Sequence, residues 1–300
     1  MRVGGLVEWL LEPATPDELR EAFAAARETG ETVRILGGGA NLVIDDGVLP
    51  GVVVSTTRLR RIFRPSSGDG GEDIAGEIPS SRVAPANPAD DPRLVVWSGA
   101  TLPSVVRAAR DLGYAGLEGL VGVPGNVGGG VAMNAGGKWG DMWDVVETVR
   151  VLTPEGELVD RERADCNPTY RNGGLGDDIV TGAVLRFTPE PRPAIEARMR
   201  EYLLEKRTVQ PVTEWSAGCI FKNPDPELSD GRSAGRLVDE AGGKQRTRGD
   251  AIVSPRHANF IVNRGGATAT DVFTLMEDIQ DMVAQKAGIQ LEFEVKRWRP

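Results

Sequence analysis

Histidine and cysteine are almost missing from this chain of 300 residues. It has one histidine, His257, and two cysteines, Cys166 and Cys219. That scarcity argues against a disulfide framework and a structural zinc site, which need clustered thiols or imidazoles, and no metal is expected. Also missing is any run of the roughly 18 apolar residues that a membrane helix requires. The opening "MRVGGLVEWLLEPATPDELR" lacks the basic start, apolar run and small-residue cleavage site of a secretory signal. A cytoplasmic protein without a membrane partner is the expectation. Positive charge is in deficit, with 35 Lys and Arg against 44 Asp and Glu and a net charge of −9. That balance argues against nonspecific nucleic-acid binding, which needs a basic face, but leaves room for a local site for a small anion.

Glycine is in excess. There are 38 glycines, and they cluster, which points to loops defined by their backbone rather than to general flexibility. The length implies two or three subdomains. "VEWLLEP" reads as a strand and "TPDELREAFAAARETG" as a helix. In that helix Thr15 is the N-cap, Pro16 the first helical residue and Gly30 the C-cap, with Leu19, Phe23 and Ala26 on one face. "TVRILGGG" and "GVVVST" are further strands, giving a β-α-β-β start. Residues 65–92, rich in Pro, Gly, Ser and acid between two strand-like flanks, are expected to be a disordered insertion at a hairpin tip. "TLPSVVRAARDLGYAG" is a Thr-capped helix, "VVETVRVLTPEGELVDR" a hairpin and "DIVTGAVLRFTP" a strand. Beyond residue 190 the pattern changes to amphipathic helices and strands. The long one, "TATDVFTLMEDIQDMVAQKAG", puts Val272, Leu275, Met276, Ile279 and Val283 on one face, and "LEFEVKRW" reads as a final strand.

"ILGGGANLVIDDG" places Gly37, Gly38 and Gly39 between two apolar runs. It is a loop between strands, not the dinucleotide fingerprint that opens a helix. It reads either as an ordinary turn or as a nest of N–H groups for a phosphate. "VGVPGNVGGGVAMNAGG" adds a second cluster, denser than a turn needs and suited to close approach by a large flat or phosphorylated ligand. "SAGCIFKNP" raises its own question: Cys219 is either a small buried hydrophobe or a thiol placed for chemistry.

Together with "YRNG", "AGRLVDEAGG", "RHANFIVN" and "LEFEV", in this order over nearly the whole chain, these motifs resemble the UDP-N-acetylenolpyruvoylglucosamine reductase family of bacterial cell-wall synthesis. The two glycine segments alone resemble the broader vanillyl-alcohol-oxidase-like flavoproteins. The resemblance implies an α+β protein: a two-subdomain FAD-binding module of the vanillyl-alcohol-oxidase/PCMH type, residues 1–57 and 58–189, and a C-terminal α+β substrate-binding domain, residues 190–300. It implies noncovalent FAD, NADPH as hydride donor, a UDP-sugar substrate and a monomer. In the family NADPH reduces the flavin. The flavin then delivers a hydride to the enolpyruvyl carbon that becomes the methyl group, and an acid protonates the carbon beside the carboxylate.

Residue by residue, Gly37, Gly38, Gly39, Ala40 and Asn41 match the family's pyrophosphate loop. Pro124, Gly125, Val127, Gly128, Gly129, Asn134, Ala135 and Gly136 match the segment along the flavin, and Ile179 and Val180 match a strand that contacts the cofactor. Arg171 matches the cation at the substrate carboxylate, Cys219 the proton donor (serine in much of the family), and Glu294 an acid near the reacting carbon. Glu292, two residues away, would share the strand face of Glu294. Tyr170, Arg207, Lys222, Asn223 and His257 match positions near the UDP-sugar. A lone histidine also reads as a hydrogen-bonded structural residue, and Arg171 alone as a surface arginine. Two departures stand out. The family segment that usually precedes "MRVGG" has no counterpart here, and the tyrosine-bearing insertion of one subtype is absent between residues 181 and 215, so the chain resembles the shorter subtype. The competing readings are an FAD-dependent alcohol or sugar oxidase of the same superfamily and a noncatalytic FAD- or nucleotide-binding protein.

Overall fold

The computed structural model describes residues 1–65 and 91–300. Residues 66–90 of the expected insertion lie outside them. The helix starts follow the capping chemistry of the sequence. Thr15 accepts a hydrogen bond from the Glu18 N–H at the start of helix Pro16–Glu28, whose buried face is Leu19, Phe23 and Ala26. The cap at its far end is Thr29, one position before the expected Gly30, which follows at φ +72°. Thr101 caps helix Leu102–Leu112 in the same way. Thr268 and Asp271 form a capping box on helix Ala269–Ala287. There Val272, Leu275, Met276, Ile279 and Val283 are all buried, each contributing about 1.5–3 kcal/mol as an upper estimate.

The chain divides into two compact units. The larger comprises Trp9–Gly38 and Gly51–Leu204, the smaller Met1–Glu8, Gly39–Pro50 and Glu205–Pro300. The division expected at residues 57 and 189 follows the linear sequence, whereas these units are discontinuous. The reason is a pairing of high sequence separation: strand Leu42–Ile44 runs parallel to strand Lys296–Trp298, with Leu42 opposite Lys296. Leu42–Ile44 is a strand beyond those of the expected β-α-β-β start, and it belongs with the C-terminal region.

In the larger unit, strand Val33–Leu36 pairs in parallel with residues Val52 to Ser55 of strand Val48–Ser55. A five-stranded antiparallel sheet runs in the order Leu158–Glu162, Val146–Leu152, Ile179–Arg186, Arg93–Trp97, Ile62–Phe63. Trp97 and Val184 pack with Leu19, Phe23 and Val54 in one apolar cluster. Val127, Val131, Trp143, Val149 and Ala183 help form another. In the smaller unit a four-stranded sheet runs Trp215–Cys219, Phe260–Asn263, Ala251–Val253, Thr247–Arg248, and Ile220, Phe221, Leu237, Met276 and Leu291 share its core. The expected last strand is shorter than "LEFEVKRW". Only Lys296–Trp298 is a strand, and Phe293 makes an isolated bridge to Phe221.

Candidate active site

In the larger unit the two glycine segments meet. A Cβ added to Gly38 would lie 2.8 Å from the Asn126 side-chain oxygen and 3.2 Å from Gly125 Cα, so this contact needs glycine. Gly125 has φ +105°, a conformation open mainly to glycine. It leads into the short helix Val127–Ala132, whose Val127 and Gly128 N–H groups are already bound to the carbonyls of Ala100 and Ser98. Two of the helix glycines have internal reasons: a Cβ on Gly128 would meet Ser98 at 2.9 Å, and one on Gly130 would meet Leu102 at 3.1 Å. Gly129 has none. It is exposed and a Cβ there would meet nothing within 4 Å, although alanine would favour the helix by about 1 kcal/mol. A ledge of bare backbone kept where no neighbour demands it fits close approach by a flat or phosphorylated ligand such as FAD. Pro124 is exposed beside this ledge, Val127 is fully buried, and Gly37 and Ala40 are half-buried. Gly39 has φ +63° with open space around it.

The rest of that segment serves a different end. Asn134 is buried at φ +43°, and its amide is committed to protein backbone: Nδ2 donates to the Thr169 carbonyl at 3.1 Å and Oδ1 accepts from the Trp143 N–H at 3.1 Å. Thr169 begins a tight turn closed by two backbone bonds to Asn172, with Tyr170 and Arg171 at its tip. Arg171 has φ +57° in the position of such turns that usually takes glycine or asparagine. A strained arginine is retained only where the surroundings hold it. Here Nη2 donates to the Gly136 carbonyl at 3.1 Å, and the guanidinium lies 4.8 Å from the ring centre of exposed Tyr170. Asp141 stands against Gly136, where a Cβ would lie 1.8 Å from its Oδ1. Burial pushes the Asp141 carboxyl up against the opposing pull of Arg171. Ala135 is half-buried. Val180 is a core residue and Ile179 is half-buried on strand Ile179–Arg186.

In the smaller unit Cys219 ends strand Trp215–Cys219. Ser216 pairs with Val262 and Cys219 with Phe260, so three steps on one strand face two on the other. This is a bulge of one extra residue, and Gly218 within it has φ +79°. Regular alternation would put Cys219 on the face of fully buried Ala217; the bulge turns it to the face of Ser216, where it is half-buried. Gly218 thus supplies a backbone conformation that the bulge needs, and open space surrounds it.

Glu294 comes beside Cys219 through the main chain. Its N–H donates at 2.8 Å to the carbonyl of Ile220, the next residue after Cys219, and its own carbonyl accepts from Asn41 Nδ2 at 3.0 Å. Glu292 flanks the same Phe221–Phe293 bridge, and its carbonyl accepts from the Lys222 N–H at 2.8 Å. Glu292 is exposed and pairs with Lys222 Nζ at 3.2 Å. Asn223 accepts from the Ala234 N–H at the start of helix Ala234–Glu240. His257 Nδ1 accepts from the Asn259 N–H at 3.2 Å, and its ring meets Phe260 edge-on at 4.9 Å. Burial and nearby Lys244 hold its pKa below the usual histidine range. Arg207 is exposed near the end of helix Arg192–Val209, where its carbonyl accepts from Arg256.

Sequence reasoning missed three residues here. Asn259, buried, accepts from the N–H of Phe221 at 2.9 Å and donates to its carbonyl at 2.8 Å, fixing the chain just after Cys219. An asparagine inside the apolar "HANFIVN" was its signal. Lys206 is buried, which lowers its pKa to about 8; nothing in "LLEKRTV" distinguished it from exposed Arg207. Asp141 looked like an ordinary loop acid.

Two family models match the chain: "FAD binding domain" over residues 7–161 and "UDP-N-acetylenolpyruvoylglucosamine reductase, C-terminal domain" over residues 210–298. A UDP-N-acetylenolpyruvoylglucosamine reductase of Desulfosudis oleivorans is 36% identical over 98% of this chain and 89% of its own length. One of Deinococcus radiodurans is 37% identical over 99% and 91%. The crystal structure of the Thermus caldophilus reductase superposes with a TM-score of 0.74 at 34% identity, covering 99% of this chain and 94% of that one.

Proposed function

From the premise that the chain belongs to the UDP-N-acetylenolpyruvoylglucosamine reductase family and is an FAD-dependent oxidoreductase, we propose that it uses NADPH to reduce UDP-N-acetylenolpyruvoylglucosamine to UDP-N-acetylmuramate. The reaction is the reductive step of bacterial peptidoglycan precursor synthesis, carried out in the cytoplasm. The observation that carries the reading is the main-chain bond from Glu294 to Ile220, the residue after Cys219. A bulge turns the thiol out of the core, and the Glu294 N–H bonds to the residue next to it.

FAD would be held noncovalently by the backbone of Gly37, Gly38, Gly39, Gly125 and Gly129. When bound it supplies two-electron transfer from NADPH to the enolpyruvyl group. Arg171 holds the substrate carboxylate. A planar guanidinium matches a carboxylate fork, and its charge stabilises the negative charge that grows beside that carboxylate as the double bond is reduced. The strained turn and the Gly136 bond orient it for this. Cys219 gives its proton to the carbon next to the carboxylate. A thiol placed at that carbon can serve as the general acid of such a step. Being half-buried, Cys219 can be reprotonated from solvent. Glu294 provides a second acid at the same carbon. Lys222 exchanges Glu292 for the diphosphate of the substrate, a cheap exchange because exposed ion pairs contribute about 0–1 kcal/mol. Asn223, Tyr170, Arg207 and His257 complete the proposed contacts to the UDP-sugar.

Anaerobic absorbance spectroscopy tests the reading. NADPH should bleach the flavin, and UDP-N-acetylenolpyruvoylglucosamine should restore its colour with one equivalent of product. Bleaching by an alcohol or sugar instead, or no bleaching, would sink it.

A further inference from the structure

Asn41 follows the glycine loop, yet its side chain is engaged with the C-terminal segment. Its Nδ2 donates to the Glu294 carbonyl at 3.0 Å, and its own carbonyl accepts from the Lys296 N–H at 3.0 Å. From Leu42 onward the two segments pair as parallel strands, Leu42 with Lys296 and Val43 with Arg297. At residue 41 that ladder stops, because the chain bends at Gly39, φ +63°. There the asparagine amide donates to the Glu294 carbonyl. The segment is itself fixed further on. Val43 is fully buried, and Asp46 accepts from the N–H groups of Ala269 and Thr270 at 2.6 and 2.8 Å and from the Thr270 hydroxyl at 3.0 Å.

Glu294 is therefore gripped on both sides of its backbone, by Ile220 through its N–H and by Asn41 through its carbonyl. Bonds at both its N–H and its carbonyl help set the direction of its Cα–Cβ bond. We propose that Asn41 is a positioning residue for the Glu294 carboxyl, so that a residue of the cofactor loop acts on the chemistry through a hydrogen bond to the main chain. This rests on the reading of Glu294 as an acid at the reacting carbon.

The test is a double-mutant cycle on the FAD-loaded enzyme, reading the rate at which UDP-N-acetylenolpyruvoylglucosamine reoxidises the NADPH-reduced protein. Glu294→Gln should slow that step by about 100-fold or more. Asn41→Ala, and Asn41→Asp, which keeps the shape but loses the donor, should each slow it by about 10- to 100-fold, the range for a misplaced catalytic group. Each double variant should be no slower than Glu294→Gln alone, within about threefold. Hydrogen exchange over residues 293–298 should quicken by about fivefold in both Asn41 variants, as expected for one lost neutral bond. Rates that multiply in the double variants, Asn41 variants within about twofold of wild type, or unchanged exchange would each overturn the proposal. A slow Glu294→Gln beside a normal Asn41→Asp overturns this inference alone. A normal Glu294→Gln overturns the reading of Glu294 and the inference with it.

Discussion

Replacing Gly218 with alanine separates two things a glycine can do. Open space surrounds the position, since an added Cβ meets nothing within 4 Å, so no clash contributes. The whole cost comes from φ +79°, where an L-residue pays about 1–2 kcal/mol. The chain has one escape, which is to drop the bulge and slip the strand by one residue. Slippage would turn Cys219 onto the core face of Ala217. It would also break the Ile220 N–H bond to the Asn259 carbonyl and both side-chain bonds between Asn259 and Phe221. At about 1 kcal/mol each, and more for buried groups left unpaired, those three outweigh the strain. Gly218→Ala should therefore keep the bulge and unfold in urea with a stability lower by about 1–2 kcal/mol. The thiol count reports the geometry directly. The chain has two cysteines and Cys166 is buried at 2% exposure, so a disulfide reagent acting on folded protein should label one thiol, Cys219, in wild type and variant alike. An alanine variant as stable as wild type, or one whose folded state labels no thiol, would refute the bulge argument.

Three further outcomes are expected. Cys219→Ala should be reduced by NADPH but be reoxidised by the enolpyruvyl substrate about 100- to 10,000-fold more slowly, whereas Cys219→Ser should stay within about tenfold of wild type; stopped-flow flavin absorbance decides, and fast reoxidation of the alanine variant would make Cys219 a packing residue. Arg171→Lys keeps the charge but loses the planar fork, so the substrate half-reaction should fall by about 100-fold and NADPH oxidation much less; equal damage to both would remove Arg171 from the carboxylate. His257 is the only histidine, and burial lowers its pKa in the folded protein. Its contribution to stability is therefore complete above the unfolded value of about 6.5 and lost as pH falls through the folded value, so urea midpoints at pH 7.5 and 5.5 should differ less in His257→Gln than in wild type. An equal pH dependence would contradict the burial assigned to that ring.

What could be read from the sequence was local. Thr15, Thr101 and Thr268 announced their helices because a cap is a contact across three residues. The buried stripe from Val272 to Val283 followed from helical period alone. The glycine clusters marked bare backbone, and Gly38 against Gly125 gives that a concrete contact. What could not be read involves partners far apart in the chain. The pairing of Leu42–Ile44 with Lys296–Trp298 leaves no trace in either segment's composition. The run "LEFEVKRW" was expected as one strand, but the regular strand is Lys296–Trp298, and before it Phe293 makes only an isolated bridge to Phe221. The Cys219 motif was legible as a motif, but the face the thiol occupies depends on a register shift against Phe260 that its own residues do not encode.

These failures share a physical cause. Loops that keep their backbone bare for a ligand cannot also run as regular ladders, so the residues proposed for chemistry lie where strand and helix bonds give out. In each place an asparagine makes up the deficit. Asn134 holds the Thr169 carbonyl at the base of the Arg171 turn, Asn259 takes both backbone groups of Phe221 two residues after Cys219, and Asn41 takes the Glu294 carbonyl. A short amide carries both a donor and an acceptor, as a peptide group does, and can stand in for a missing strand neighbour. Burying one is tolerable only when it is bonded, since an unpaired buried polar group costs about 1–3 kcal/mol. The same penalty makes the arrangement precise: any shift of the turn, the bulge or the C-terminal segment strands an amide. On this account the positioning of Arg171, Cys219 and Glu294 depends less on the residues beside them in sequence than on three asparagines elsewhere in the chain, only one of which, Asn259, follows from an oddity in its own local pattern.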